Sequence, residues 1–252
     1  LEKHVVLQTE DAVGWFLLGG AAHRLLDLSV ARKAFSESCR LNPENLQAHL
    51  ALATVCFETG DTSASIRACR RAVELAPTNP QPWFSLGVAL ECSGDADEAV
   101  RCYDRTLTLD TDHVEARKNR GALLLEQGRV DEAVANNRLL AERWPLSFDA
   151  QYNLGDSLVA LGDYRAALRS LQRALRIRQD HPRALLHAGF CQAQLRQFTE
   201  AQKLLDRSAE LDRSQVQMYR EATFGAAAGD EKYALPELDA QVLFVLHHFD
   251  LI

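Results

Sequence analysis

The chain is 252 residues long, 47% hydrophobic and 25% charged, with 7 prolines and 13 glycines, which is enough apolar chain to bury a sizeable core and unlike a disordered tail. A formal charge of -7 opposes the attraction that phosphate backbones and anionic lipids exert on basic proteins, so no nucleic acid and no membrane surface is expected as partner. No apolar run approaches the ~20 residues that a bilayer requires, and the first residues lack the charged start and unbroken apolar core of a secretion signal.

In chain order, the phrase WFLLGGA at Trp15 returns as HLALATV at His49, WFSLGVA at Trp83, RKNRGAL at Arg117, QYNLGDS at Gln151 and LLHAGFC at Leu185. The period is 34 residues. A frame starting at Ala12 gives six units without insertion: 12–45, 46–79, 80–113, 114–147, 148–181 and 182–215. Leu1 to Asp11 then fits the end of a preceding repeat, its second helix, and the array is expected to begin earlier in the full protein.

Within a unit, apolar positions 4, 7, 8 and 11 recur at helical spacing, as do 20, 24, 27 and 28, which predicts two amphipathic helices per unit. Between them Gly60-Asp61, Gly94-Asp95 and Gly162-Asp163 offer a glycine for a left-handed helix end, then an aspartate to cap the next helix. Asp95 with Glu98 has capping-box spacing. Position 8 reads Gly19, Ala53, Gly87, Gly121, Gly155 and Gly189; position 20 reads Ala31, Ser65, Ala99, Ala133, Ala167 and Ala201. Small residues let two helices approach closely, and Gly87 is expected to face Ala99. A phosphate-binding role is rejected, because neither GxxxxGK[ST] nor GxGxxG occurs. One helix pair alone exposes its apolar face, so the pairs must stack to bury it.

These units resemble tetratricopeptide repeats, whose pattern places a large residue at position 4, Leu at 7, Gly or Ala at 8, a bulky residue at 11, Ala at 20, an aromatic at 24, a small residue at 27 and Pro at 32. The third unit reads Trp83, Leu86, Gly87, Leu90, Ala99, Tyr103, Thr106 and Thr111; the first reads Trp15, Leu18, Gly19, Ala22, Ala31, Phe35, Ser38 and Pro43. The resemblance covers about four fifths of the chain and implies an all-α fold, a right-handed superhelical solenoid of antiparallel helix pairs. It says little about the ligand.

Positions 2, 5, 6, 9, 12 and 13 lie on the side of the first helix away from the second, and stacking makes them the inner wall of a curved groove. That wall is apolar. Phe16, Leu50, Phe57, Phe84 and Val88 form one strip, and Tyr152, Val159, Leu186 and Phe190 another. Each ring is either packed between neighbouring helices or presented to a partner segment. Glu91, Asn119, Asn153 and Asp156 are the polar groove candidates. The chaperone-tail clamp of some family members, Lys at position 5 with Asn at 9, is absent, since only Lys118 matches. The position-6 asparagine ladder of O-linked N-acetylglucosamine transferase arms is reduced to Asn119 and Asn153.

Unit four departs most from the pattern, with Arg117, Arg120 and Asn137 at positions 4, 7 and 24; nearby Glu115, Glu126, Asp131 and Glu132 are candidate partners. Arg165, Arg169, Arg173 and Arg176 share one outward helical face, which reads first as a solvated surface. Six cysteines, at 39, 56, 69, 92, 102 and 191, form no CxxC pair and no zinc spacing. They read as reduced thiols in a cytoplasmic interior.

Past Gln215, Val216 to Ala228 fits a final helix, Gly229-Asp230 breaks it, and Pro236 opens the last stretch, in which Leu238, Val242, Val245, Leu246 and Phe249 share one helical face. VLFVL there also fits a buried strand, so 216–252 reads as capping helices or as the start of a truncated further domain. His247 and His248 point to different faces of a helix, and no metal, cofactor or catalytic constellation is expected. The expected function is a non-enzymatic scaffold that binds a peptide or helical segment of a partner protein in the apolar groove. Two alternatives stay open: the substrate-recognition arm of a larger enzyme such as an O-linked glycosyltransferase, and self-association into a homo-oligomer.

Overall fold

The computed structural model describes residues 11–211. Residues 1–10, expected to end a preceding repeat, and the closing segment 216–252 lie outside the described residues. The chain divides into two compact units, Leu1–Ala116 and Arg117–Ile252. Twelve helices and no strand are found among the described residues. They are α1 Ala12–Arg24, α2 Leu28–Leu41, α3 Leu46–Glu58, α4 Thr62–Leu75, α5 Pro80–Ser93, α6 Ala96–Leu109, α7 Val114–Glu126, α8 Val130–Arg143, α9 Phe148–Leu161, α10 Tyr164–Ile177, α11 Pro182–Gln194 and α12 Phe198–Leu211.

Odd-numbered helices open every 34 residues, as do the even-numbered ones, because the capping chemistry repeats with the same period. Before each odd helix stands a side chain with an acceptor. Asp11, Asn45, Asn79 and Ser147 accept the backbone N–H of Val13, Gln47, Gln81 and Ala150, while ring Nδ1 of His113 and His181 accepts those of Ala116 and Ala184. Before the even helices, Asp27, Asp61 and Asp163 cap Val30, Ala64 and Ala166. These hydrogen bonds hold the Asp27 and Asp61 carboxyls below their usual range. The capping box expected at Asp95 does not form. Its carboxylate makes no cap bond and accepts instead from Ser93 Oγ at 3.1 Å, while Glu98 is drawn off by Arg70.

The turn between paired helices passes through one left-handed residue at position 15. Gly60, Gly94, Gly128 and Gly162 take it with φ between 70 and 86°, but Leu26 and Arg196 occupy it at φ 60°. A side chain in this region costs ~1–2 kcal/mol, partly offset by the lower unfolded-state entropy of a non-glycine residue. Leu26, which is 81% exposed, has little packing to lose. Leu26→Gly is therefore expected to stabilise the chain by about 0.5–1 kcal/mol in urea unfolding; destabilisation would mean that the leucine contacts something that the turn conceals.

Within each pair position 8 has a packing partner beyond the expected small residue at position 20. A Cβ on Gly87 would sit 2.7 Å from the Tyr103 ring, on Gly19 2.6 Å from Phe35, on Gly155 2.7 Å from Leu171, and on Gly189 2.8 Å from Leu205. The glycine thus makes room for the large side chain at position 24 as well as facing position 20. Position 20 is buried as well, and in repeat two Ser65 Oγ donates to the Ala53 carbonyl at 2.9 Å.

Position 4 shows a second device. Trp83 Nε1 donates to the Pro77 carbonyl at 3.0 Å, Gln151 Nε2 to that of Pro145 at 3.3 Å, and His49 Nε2 lies 3.0 Å from that of Pro43. Trp, Gln and His share no shape but all carry an N–H, which serves the carbonyl of the loop proline that follows the preceding helix.

Repeat four replaces the aromatic at position 24 with an amide relay. Asn137 and its neighbour Asn136 are buried, and Asn136 Nδ2 donates to the Arg117 carbonyl at 2.8 Å and to Asn137 Oδ1 at 3.0 Å. Asn137 Nδ2 donates to the Asn153 carbonyl at 3.1 Å, and Arg120 donates to Asn136 Oδ1. Gly121 clears the space, since a Cβ there would meet Asn137 Oδ1. The expected acidic partner Glu132 binds Arg129 through two 2.8 Å bonds, and after these the Arg120 charge also lowers its carboxyl. Arg165, Arg169, Arg173 and Arg176 are all exposed, as a solvated face requires.

Candidate functional site

In the first compact unit the groove-side residues frame a cavity of about 140 Å³ lined by Ala53, Thr54, Phe57, Ser65, Cys69, Phe84, Ser85 and Val88. Helices α3 and α5 supply the walls, and Ser65 and Cys69 of α4 the floor. The cavity exists because repeat two carries the smallest filler at position 24: Cys69 stands where Phe35 and Tyr103 fill the neighbouring repeats. Ala53 at position 8 carries the Cβ that those rings exclude. The methyl and the thiol leave the space between them and the wall unfilled, and such a largely apolar space suits a ligand side chain. Burial pushes the Cys69 thiol up to about 12, which favours the neutral thiol, a small apolar lining of the cavity.

Of the expected groove residues, Phe57, Phe84 and Val88 meet at this cavity. Phe57 is 38% exposed. Phe84 is half-buried, its ring 4.6 Å from His113 and 6.1 Å from Tyr103. Leu50, also on α3, is half-buried and does not line the cavity. Phe16 is held by the core, packing 5.7 Å from Phe35 and against the cluster of Ala22, Ala31 and Val55. Glu91 accepts the Tyr103 hydroxyl, and so serves the packing of repeat three. His23 and Glu58 make a 2.7 Å contact on the same side. Ser65 and Cys69 were not legible as site residues from a helical wheel of the first helices, although the unusual Cys at position 24 was a visible signal.

In the second compact unit, Tyr152 stacks on Phe148 and His187 at 5.7 Å each, with His181 5.5 Å away. Burial first, and the Asp156 charge second, raise the Tyr152 hydroxyl above its usual range. Asp156 Oδ1 lies 3.0 Å from His187 Nδ1, an ion-pair distance without hydrogen-bond alignment. Arg178 covers the Phe148 ring at 4.3 Å. Asn153 offers its carbonyl to Asn137, and Asn119 is half-buried in α7. Phe190 is no exposed anchor. It is 3% exposed, edge-on to Tyr164 at 5.6 Å, and Val159 and Leu186 are buried too.

Among the described residues no group of three or more His, Cys, Asp or Glu could hold a metal, and no helix is long and apolar enough to cross a membrane. Repeated antiparallel helix pairs with small residues at fixed register define an all-α helical-repeat scaffold. Tetratricopeptide repeat profiles match residues 16–80, 84–148 and 158–222, and the chain belongs to the tetratricopeptide repeat family. It is a protein–protein interaction scaffold; such proteins are typically non-catalytic and bind protein or peptide partners. No curated protein matches the chain.

Solved structures share the fold. YrrB, described as a TPR protein with an unusual peptide-binding site, has a TM-score of 0.64 at 23% identity, over 73% of this chain and 95% of its own. MamA from Desulfovibrio magneticus RS-1 gives 0.63 at 22% identity, over 68% of this chain and 96% of its own. MamA of strain AMB-1 gives 0.59 at 21%, over 67% and 92%.

Proposed function

We propose that the six repeats over 12–215 bind a peptide or helical segment of a partner protein on their concave side, with the cavity between α3 and α5 receiving one apolar anchor side chain. The observation that carries this reading is the cavity itself, open beside the partly exposed Phe57 and Phe84 and floored by Cys69. A concave apolar site with few polar groups is what a buried side chain of a peptide requires, and one such anchor commonly dominates the affinity. The likeness to YrrB, a protein with a peptide-binding site, is consistent with it.

Peptides selected from a displayed random library on the intact protein test this reading. Phe57→Ala with Phe84→Ala is expected to weaken their binding about tenfold or more, while the urea midpoint moves little, because both rings keep solvent contact. Unchanged peptide affinity in the double variant would refute the assignment, and a stability loss of several kcal/mol would make the rings core instead.

A further inference from the structure

Helix α10, with the sequence YRAALRSLQRALRI, carries four arginines and no acidic residue. Arg165, Arg169, Arg173 and Arg176 follow one another at four, four and three residues, so they share one helical face, and all four are exposed. The row works against its own helix. Like charges one turn apart repel, and Arg165 stands in the first turn, where the helix dipole disfavours a cation. Among the described residues none of the four side chains forms an ion pair or a hydrogen bond. The four aspartates of repeat five are engaged elsewhere: Asp149 with Lys118 at 2.9 Å, Asp156 with His187 at 3.0 Å, Asp163 with the Ala166 N–H at 3.0 Å, and Asp180 with Arg207 Nε at 3.1 Å. Other repeats neutralise cations at these positions. Repeats one and two pair Arg40 with Glu37 and Arg71 with Glu74, and repeat six pairs Lys203 with Glu200 and Arg207 with Asp180. A row that strains its own helix, and that the chain leaves unneutralised, breaks a local rule without a gain inside the fold.

We infer that the exposed face of α10 docks an acidic segment of a partner protein, whose carboxylates pair with Arg165, Arg169, Arg173 and Arg176. Charge complementarity carries the assignment. Successive arginines one turn apart have their Cβ atoms ~5–6 Å from each other, a spacing that Asp or Glu one turn apart on a partner helix reproduces. All four cations are arginine, whose planar fork donates two parallel N–H groups to one carboxylate. A nucleic acid offers phosphates to the same fork, but its long run of charge would also meet the rest of a chain of net charge -7. A short acidic segment meets only the row, because charges farther off than a Debye length are screened. The row lies on a second helix and shares no residue with the α3–α5 cavity, so the inference does not depend on what binds there.

The probe is a fluorescein-labelled alanine helix with glutamate at every fourth residue, titrated against the full chain by anisotropy at about 50 mM salt. Two variants of equal charge are compared. Arg169→Glu/Arg173→Glu reverses the middle of the row, whereas Arg101→Glu/Arg105→Glu reverses two exposed arginines at the same positions of repeat three. The first is expected to weaken binding at least about tenfold and the second less than about threefold. Equal losses would mean that the peptide answers to net charge alone and would overturn the inference, as would no loss in the first variant. Tighter binding of a single-stranded DNA oligonucleotide of the same charge than of the peptide also overturns it. Urea unfolding of the first variant checks the fold. If that variant unfolds, Arg169→Gln/Arg173→Gln removes the charges without reversing them and is expected to lose at least about threefold in affinity; undiminished binding there overturns the inference.

Discussion

Ala53→Gly combined with Cys69→Phe is expected to abolish most binding of a groove-selected peptide, lowering affinity by about 2 kcal/mol, or about thirty-fold. The pair rebuilds in repeat two the Gly19–Phe35 arrangement of repeat one, in which a ring lies where a glycine Cβ would be. The ring would fill the space of about 140 Å³ beside Phe57 and Phe84 and leave no volume for an anchor. Stability should change little, because filling a cavity is favourable while glycine inside a helix costs ~1 kcal/mol. Titration of the same peptide against wild type and variant, with urea unfolding of each, measures both quantities. Undiminished affinity in a stably folded variant would show that the cavity is not where the peptide binds.

The second large effect concerns Gly87. Gly87→Ala should destabilise the chain by about 1–2 kcal/mol, because overpacking against the Tyr103 ring costs ~1–3 kcal/mol and exceeds the ~1 kcal/mol that alanine gains in a helix. In a Tyr103→Cys background, which copies the Ala53–Cys69 pair of repeat two, the same change should be favourable by about 1 kcal/mol. A double-mutant cycle in urea should therefore report a coupling of about 2–3 kcal/mol between positions 8 and 24. A coupling near zero would mean that the ring moves aside freely and that the glycine is not held by it.

The helical content, the 34-residue period and the left-handed turn glycines were legible in the sequence because they rest on local chemistry. Capping side chains, positive-φ glycines and apolar spacing act within a few residues of themselves. Pairings were legible only in part. That position 8 faces position 20 is legible from periodicity and holds, as in the Ser65–Ala53 bond, but only the depth of the ring shows that Gly87 also makes room for Tyr103. The Asp95–Glu98 capping box has the right spacing, yet the carboxylates go to the neighbouring Ser93 and to the distant Arg70, because other partners of similar strength compete with the cap bonds.

The candidate site divides in the same way. Phe57, Phe84 and Val88 were readable from the helical wheel of first helices, whereas the floor of the cavity comes from Ser65 and Cys69 on a second helix. Phe190 and Leu186 have the same wheel positions as Val88 and Phe84 and are nonetheless buried. The sequence by itself determined the family, the repeat frame and which face of each helix is apolar, since these follow from residue type and spacing. The tertiary structure decided which apolar positions stay open, because exposure depends on the volume of side chains contributed by other helices and not on the residue that is exposed.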